Sequence, residues 1–294
     1  MIRAAVACAI VLMAAATARA AEPLTVGAKA DPRHRAMAAV TARYVAAHGI
    51  PSEVAPGYSA PILAAAHRDG AVDLAWEGIG IALTTRHDID VNIASGMDRA
   101  AARDKLRAVA DDGPIAWPAA APARGGSRLV VAEHARRTDT AGPELSELFE
   151  TVAGQAESWA VPSRFLGRRD GLVTLLRRHG DAVPRHATRR LPQPRIFRAV
   201  QAGDVRAAVL PANDARTARA PVVPVADDGL PPQQLVAGIR RDHPASTRAG
   251  ALAARLARAI DGAALRRWTA ALTRDGDSLH RIAARTTRRL ARRH

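Results

Sequence analysis

An α/β fold in two similar lobes is what this sequence predicts, and three observations predict it. From Leu24 onward strand-like and helix-like stretches alternate, the pattern of a largely parallel sheet with helices packed on it. The unit from Leu63 to Trp76 (helix, glycine, alternating apolar strand) is echoed between Arg195 and Leu210. Between the two units, a stretch rich in proline, alanine and glycine from Trp117 to Gly126 reads as a crossing from one lobe to the other.

The first twenty residues stand apart. Arg3 gives a basic start, Ala4 to Ala16 is an apolar run, and Ala18-Arg19-Ala20 offers a small-x-small cleavage pattern, so a secretory signal peptide cut after Ala20 is expected. The run falls short of the roughly 20 residues that span a bilayer. Cys8, the single cysteine, goes with that segment and leaves neither a disulfide nor thiolate chemistry to the mature chain.

Beyond it, Leu24 to Gly27 is expected as a strand and Lys29-Ala-Asp-Pro-Arg33 as a polar loop. Arg35 to Ala47 follows as a helix, with Met37, Val40, Tyr44 and Val45 on one flank and His48-Gly49 as its stop. Glu53 to Ala55 supplies the next strand, and Ser59 to Arg68 the next helix, closed by Asp69-Gly70. Val72, Leu74 and Trp76 then alternate onto one face of a third strand that runs into Glu77-Gly-Ile-Gly80 and an apolar continuation to Thr85. A ring, a carboxylate and bare backbone therefore meet at the C-terminal edge of a sheet, where open α/β folds bind ligands.

Arg99 to Ala110 is the next helix, broken by Asp111-Asp-Gly-Pro114; Ile115 to Pro122 is extended and Ser127 to Ala132 a buried strand. The second lobe takes a helix from Pro143 to Val152, a strand from Glu157 to Val161, a loop from Pro162 to Gly171 and a helix from Leu172 to Arg178 closed by Gly180. It continues with a helix from Arg195 to Gln201 and strands from Val205 to Leu210 and Pro221 to Val225. Asp227 to Pro232 is the expected return crossing, after which helices from Thr247 to Ile260, Ala263 to Leu272 and Ser278 to Leu290 close the chain. The expected boundaries are 1–20 for the leader, 21–120 with 225–294 for the first lobe, and 121–224 for the second.

Composition narrows the function. The net charge is +15, and removing Arg3 and Arg19 with the leader takes two from it, leaving +13. Lys29 and Lys105 are the only lysines, so the charge is an arginine bias that runs with abundant alanine through the whole chain. No aromatic residues interleave with the arginines, and nucleic acid is not an expected partner. The C-terminal arginines (Arg281, Arg285, Arg288, Arg289, Arg292, Arg293) read as a solvated face, since they lack the Trp or Phe anchors of a membrane-surface helix.

Chemistry-bearing motifs are sparse. The ten histidines are scattered singly, none in a spacing that shares a helix face, so no metal or other cofactor is expected. There is no G-x-S-x-G. Gly78-Ile-Gly80 is half of a dinucleotide fingerprint and reads as close packing of helix on strand. Glu77 has no second carboxylate near it in sequence; the alternative to an acid is a cap or ion pair at a helix start. No catalytic residue emerges, and an enzyme is not expected.

Four stretches then carry a resemblance. Asp73-Leu-Ala-Trp-Glu-Gly-Ile-Gly-Ile-Ala-Leu-Thr-Thr85, Trp117-Pro-Ala-Ala-Ala-Pro122, Phe165-Leu-Gly-Arg-Arg-Asp-Gly-Leu172, and Ala202-Gly-Asp-Val-Arg-Ala-Ala-Val209 with Asn213-Asp-Ala-Arg216 occur in the order and spacing of one family. The chain resembles the substrate-binding proteins of ABC importers for glycine betaine, choline and related osmoprotectants. The resemblance implies a two-lobed periplasmic-binding fold, type II-like, with a mixed sheet flanked by helices in each lobe and ligand trapped by hinge closure. It also implies a quaternary ammonium held in a cage of rings and a carboxylate held by basic and polar donors. Residue by residue, the family's cage aromatics fall on Gly78, Ser127, Pro211 and Gln233, and the aspartate of its W-L-D-P on Ala119. Trp76 stands where the family has a proline and offers one ring; Arg168 matches the family's arginine.

The expected ligand-binding set is Trp76, Glu77, Gly78, Ser127, Arg168, Asn213 and Gln233. The expected function is the extracytoplasmic solute-binding component of an ABC importer, periplasmic and monomeric, serving a membrane permease. Its small-molecule ligand is expected to have shifted from a quaternary amine toward an anionic or hydrogen-bonding solute. The alternative is a non-transport recognition or sensory module on the same fold.

Overall fold

The computed structural model describes residues 22–136, 142–168, 171–172, 175, 185–226 and 229–292. The expected leader, and most of the helix expected from Leu172 to Arg178, lie outside the described residues.

The first lobe opens β1 (Leu24–Lys29), α1 (Pro32–Ala46), β2 (Ser52–Tyr58), α2 (Ala60–Asp69), β3 (Leu74–Gly78), α3 (Arg99–Ala110) and β4 (Ile115–Arg124). Helix starts follow from local chemistry. Asp31 caps α1 by accepting from the His34 N–H with Pro32 in the first turn, Ser59 caps α2 before Pro61, and Asp98 accepts from the Ala100 and Ala101 N–H groups at the start of α3. Gly70, at φ +92°, ends α2 in the left-handed conformation that glycine adopts without penalty.

The second lobe holds β5 (Ser127–Ala132), α4 (Leu145–Ala153), β6 (Trp159–Val161), β7 (Thr188–Arg190), α5 (Gln193–Ala202), β8 (Ala207–Pro211) and β9 (Val222–Pro224). The chain then returns to the first lobe as β10 (Gln234–Arg240), α6 (Ser246–Ala257), α7 (Gly262–Thr273) and α8 (Leu279–Ala291), and α8 packs on α1.

Each lobe is built on one five-stranded mixed sheet, ordered β2-β1-β3-β10-β4 in the first and β7-β6-β8-β5-β9 in the second. In the first, β1 runs parallel to β2 and β3 while β10 is antiparallel to β3 and β4. In the second, β6 runs parallel to β7 and β8 while β5 is antiparallel to β8 and β9. Both faces of both sheets are covered. Leu24, Val26, Met37, Trp76, Leu252, Trp268 and Ile282 fill one side of the first sheet, and Ile79, Leu83, Leu106, Trp117 and Val236 the other. Phe149, Trp159 and Phe165 fill one side of the second, and Ile196, Phe197 and Val200 the other.

Two strands escape the sequence reading. β10 lies where the chain was expected to pass from crossing to closing helices; its Ala237-Gly238 centre dilutes the β-branched signal. Gly238 is there for packing, since a Cβ on it would come within 2.9 Å of both the His67 and Trp117 rings. β7 is three polar residues at a sheet edge, too short to carry a period.

Two connections join the lobes. β4 runs through to Arg124, so the outward crossing is compressed into Gly125 and Gly126. The return crossing lies alongside, with the Gly125 N–H donating to the Gln233 carbonyl. Both lobes therefore present the C-terminal ends of their parallel strands beside one two-stranded crossing: Lys29 and Gly78 from one sheet, Val161 and Pro211 from the other.

Candidate functional site

The lobe I wall begins with Glu77, which is 1% exposed and held by Lys29 from the end of β1 and by Arg86. Arg86 ends a π-helical turn, Ala82–Arg86, whose wider winding brings its guanidinium back to the strand end. Its Nη2 and Nε donate to Glu77 Oε2 at 2.9 and 3.3 Å, and its carbon lies 5.6 Å from the Trp117 ring centroid. Burial pushes the Glu77 carboxyl up, but the charges and hydrogen bonds of Lys29 and Arg86 outweigh it and bring it down to about 2. Glu77 is thus a fixed anion inside a buried ion-pair triad.

Trp76 faces the other way. It is 2% exposed in the lobe I core, and its indole Nε1 donates to Thr41 Oγ1 on α1. The ring ties β3 to α1 and does not line the strand edge.

Gly78, Ser127, Asn213 and Gln233 gather at the crossing. A Cβ on Gly78 would meet Gln233 Oε1 at 3.1 Å, and the buried Gln233 donates Nε2 to the Pro231 carbonyl at 2.9 Å while its side chain also covers Gly126. Ser127 opens β5 opposite Pro211, and the Ala212 N–H donates to the Gly126 carbonyl. Asn213 donates its side-chain amide to the Arg124 carbonyl and reaches the start of α7 at Gly262. Gly80 is fixed by the same neighbourhood: its N–H donates to the Pro232 carbonyl at 2.8 Å, leaving no room for a side chain. The close packing expected of Gly78-Ile-Gly80 is therefore made against the return crossing. Arg168, half-buried, stands in the lobe II loop that follows the one-turn helix Ser163–Leu166 after β6.

Four further groups belong to this region and were missed: Asp31, Arg33, His34 and Arg164. Asp31 Oδ2 lies 2.6 Å from His34 Nδ1, and Arg33 Nη1 donates to the Gly126 carbonyl at 3.3 Å. Burial pushes the Asp31 carboxyl up, yet His34 and Arg33 hold it far below the usual carboxylate range; burial pushes His34 down against the opposing pull of Asp31. Arg164 donates Nη2 to Gln193 Oε1 at 3.1 Å and feels the charges of Asp31 and Arg33 across the cleft and of Arg168 beside it. Burial lowers its guanidinium; Asp31 opposes that, and Arg33 and Arg168 reinforce it. The available signal was Asp31-Pro32, an N-cap followed by a first-turn proline, which puts Arg33 at a strand's C-terminal edge.

Rings are missing from this region. The chain has four tryptophans, two tyrosines and three phenylalanines. All but Tyr58 are buried, in the cores of the lobes, and Tyr58 packs against Leu63, Val72 and Ala75. Among the described residues there is also no group of three metal-binding side chains, and no helix is long and apolar enough to cross a membrane.

Two mixed α/β lobes joined by a paired crossing, with a polar and basic cleft between their strand ends, define a two-lobed solute-binding protein. Comparison with known proteins gives the family. The model of the substrate binding domain of ABC-type glycine betaine transport systems matches residues 22–286, and the chain belongs to that family. It is 25% identical over 198 residues to a glycine-betaine-binding protein of Pseudomonas aeruginosa, a match spanning 65% of this chain and 61% of that relative's length. It is similar in fold to apo YehZ from Escherichia coli (TM-score 0.67, 18% identity, 92% of this chain and 99% of that one). A crystal structure of a glycine betaine/carnitine/choline ABC transporter is similar too (TM-score 0.72, 14% identity, 90% of this chain and 98% of that one).

Proposed function

We propose that the protein is the extracytoplasmic, periplasmic solute-binding component of an ABC importer, acting as a monomer that delivers a small molecule to a membrane permease. The solute sits between the lobes against Gly78, Ser127, Arg168, Asn213 and Gln233, and the lobes close on it about Gly125–Gly126 and Pro231–Gln233. Glu77 and Trp76 support this wall from within and do not touch the solute.

One observation carries the ligand side of this reading: every aromatic ring is committed to a core or to the packing of β2, so no cage faces the cleft. Each cation–π face is worth about 0.5 to 2 kcal/mol, so a site without them binds a quaternary ammonium orders of magnitude more weakly than a caged one. The polar crossing and flanking arginines suit a hydrogen-bonding or anionic solute. Calorimetric titration of the purified mature chain with glycine betaine, choline, carnitine, amino acids and organic acids tests this, alongside mass spectrometry of whatever small molecule copurifies. Weak or absent choline binding with a clear organic- or amino-acid ligand is expected. Tight choline binding would overturn the uncaged site, and an empty protein that binds nothing in the panel would overturn the solute-binding role.

A further inference from the structure

The side chain of Asn213 spans the two lobes. It follows β8 of the second lobe, yet its amide Nδ2 donates to the Arg124 carbonyl at the end of β4, in the first lobe. Its Oδ1 faces Gly262, the first residue of α7, so closely that a Cβ on Gly262 would stand 2.8 Å from it. The residue is 7% exposed. Both ends are firmly mounted. In the second lobe, the neighbouring Asp214 accepts from Arg216 Nε at 3.0 Å and from Nη2 at 2.7 Å, and that guanidinium carbon lies 4.2 Å from the Phe197 ring centroid on α5. Thr217 Oγ1 donates back to the Pro211 carbonyl at 2.8 Å, closing the turn from which Asn213 projects. In the first lobe, the Ala123 N–H donates to the Ile260 carbonyl at 3.0 Å, fixing the end of β4 to the entry of α7, and Asp261 caps that helix by accepting from the Ala264 N–H at 2.6 Å. A post on one lobe thus enters a seat on the other, and a buried amide crosses between them.

We infer that Asn213 is an interlobe latch: its seat between the Arg124 carbonyl and Gly262 sets the angle at which the lobes stand, and solute affinity is tuned through that contact between protein groups. The consequence for affinity rests on the reading that the cleft is the solute site.

Hinge rotation moves packed bodies as units, and contacts between the units are made in one arrangement and lost in another. Turning the second lobe about the crossing leaves the Asp214–Arg216–Phe197 post and the β4–α7 seat each intact and takes up the motion at Asn213. Its hydrogen bond is short-range and directional, so a displacement on the order of 1 Å weakens it sharply. The latch therefore adds its free energy to one lobe angle. A solute whose complex keeps that angle gains from it, and a solute that needs another angle works against it. Gly262 is part of the device: its φ lies outside the left-handed region, so what excludes a side chain there is the clearance that Asn213 needs. Asn213 becomes a positioning residue that acts through the hinge.

Residues 21–294 contain no cysteine, so two introduced ones carry spin labels at defined places: Lys105→Cys on α3 and Arg198→Cys on α5, both at exposed positions. Pulsed electron–electron double resonance then reads the distribution of distances between the lobes with no solute added, in the labelled parent, in Asn213→Ala and in Gly262→Ala. Both variants are expected to shift or broaden that distribution. Gly262→Ala lies outside the proposed solute site and puts a stronger helix former into α7, so its effect comes from displacing Asn213 and does not depend on how Asn213→Ala folds. Calorimetry on the same proteins with glycine betaine, choline, carnitine, amino acids and organic acids gives the second readout. For any probe that binds, the two variants should change affinity in the same direction, each by about two- to tenfold, the range one hydrogen bond covers. An unchanged distribution in either variant would overturn the latch; if Asn213→Ala alone then lost affinity, Asn213 would be a solute contact only. A parent that binds no probe, beside variants whose distributions have changed, would overturn the solute-binding reading and leave the latch standing.

Discussion

The indole N–H of Trp76 donates to Thr41 Oγ1 at 2.9 Å, and Thr41 in turn donates to the Met37 carbonyl at 2.8 Å. A ring at the edge of a candidate cleft thereby becomes a strut between β3 and α1. Trp76→Phe keeps most of the packing and deletes the hydrogen bond. It should lower unfolding free energy by about 1 to 2 kcal/mol, the cost of an unmade buried hydrogen bond with a small loss of volume. Ligand affinity should stay within twofold. Urea denaturation with calorimetry on the same samples checks both, and a large loss of affinity at unchanged stability would return Trp76 to the binding surface.

Glu77 carries the opposite expectation. Glu77→Gln leaves Lys29 and Arg86 facing each other in a buried site without their anion, and removing one partner of a buried ion pair costs about 3 to 5 kcal/mol. The wild type should show the same dependence through pH. Its folded pKa, about 2, lies below the ordinary 4.5, so the stabilisation is fully present above pH 4.5 and is lost as pH falls toward 2. The loss is on the order of 3 kcal/mol. Denaturant melts between pH 6 and 3 should fall more steeply below pH 4.5 in the wild type than in the variant, which keeps only the slope of its other shifted groups.

A second acid-sensitive window opens earlier. His67 is buried, its Nε2 3.3 Å from the Asp73 carbonyl, and burial with the Arg86 charge pushes its pKa down to about 3. The unfolded chain therefore takes up this proton first, so stability present above pH 6.5 declines as pH falls through the window to about 3. His34 is shifted in the same direction by burial. Stability should fall by about 1.4 kcal/mol per pH unit for each such group across its window. His67→Gln should flatten the slope between pH 6.5 and 5, and an unchanged slope would assign the acid lability elsewhere.

Much of the fold was legible because apolar residues recur with clear periods: Met37, Val40, Tyr44 and Val45, placed on one flank by spacing, are all buried. β10 was not, since Ala237 and Gly238 answer to the neighbours Trp117 and His67, which sequence does not reveal as neighbours. The alternation that sets Trp76 on one face with Leu74 already implied a core ring. Arg33 and Arg164 could not be singled out among 43 basic residues, because only the fold sets β1 and β6 ends against one another. The crossing was partly legible: its glycines lie at the end of the Trp117–Gly126 joint, but the pairing of Gly125 with Gln233 is a tertiary fact.

That pairing makes Gly126 the most constrained position of the crossing. It sits at φ +71°, where a side chain costs roughly 1 to 2 kcal/mol, and a Cβ there would also run into the Gln233 side chain, with Gln233 Cδ at 2.8 Å. Gly126→Ala should therefore destabilise the protein by at least the conformational cost. It should also weaken ligand binding, because Gln233 and the carbonyl that receives Arg33 both have to move. Gln233→Ala alone removes a polar group under the proposed site and should weaken binding without backbone strain. In the double variant the collision is gone while the left-handed strain remains, so the two changes should be non-additive, with a coupling energy of roughly 0.5 kcal/mol or more in favour of the double variant. A double-mutant cycle on unfolding free energy and on affinity measures it. Additivity in both would mean that Gly126 and Gln233 act independently and that the crossing hinges elsewhere.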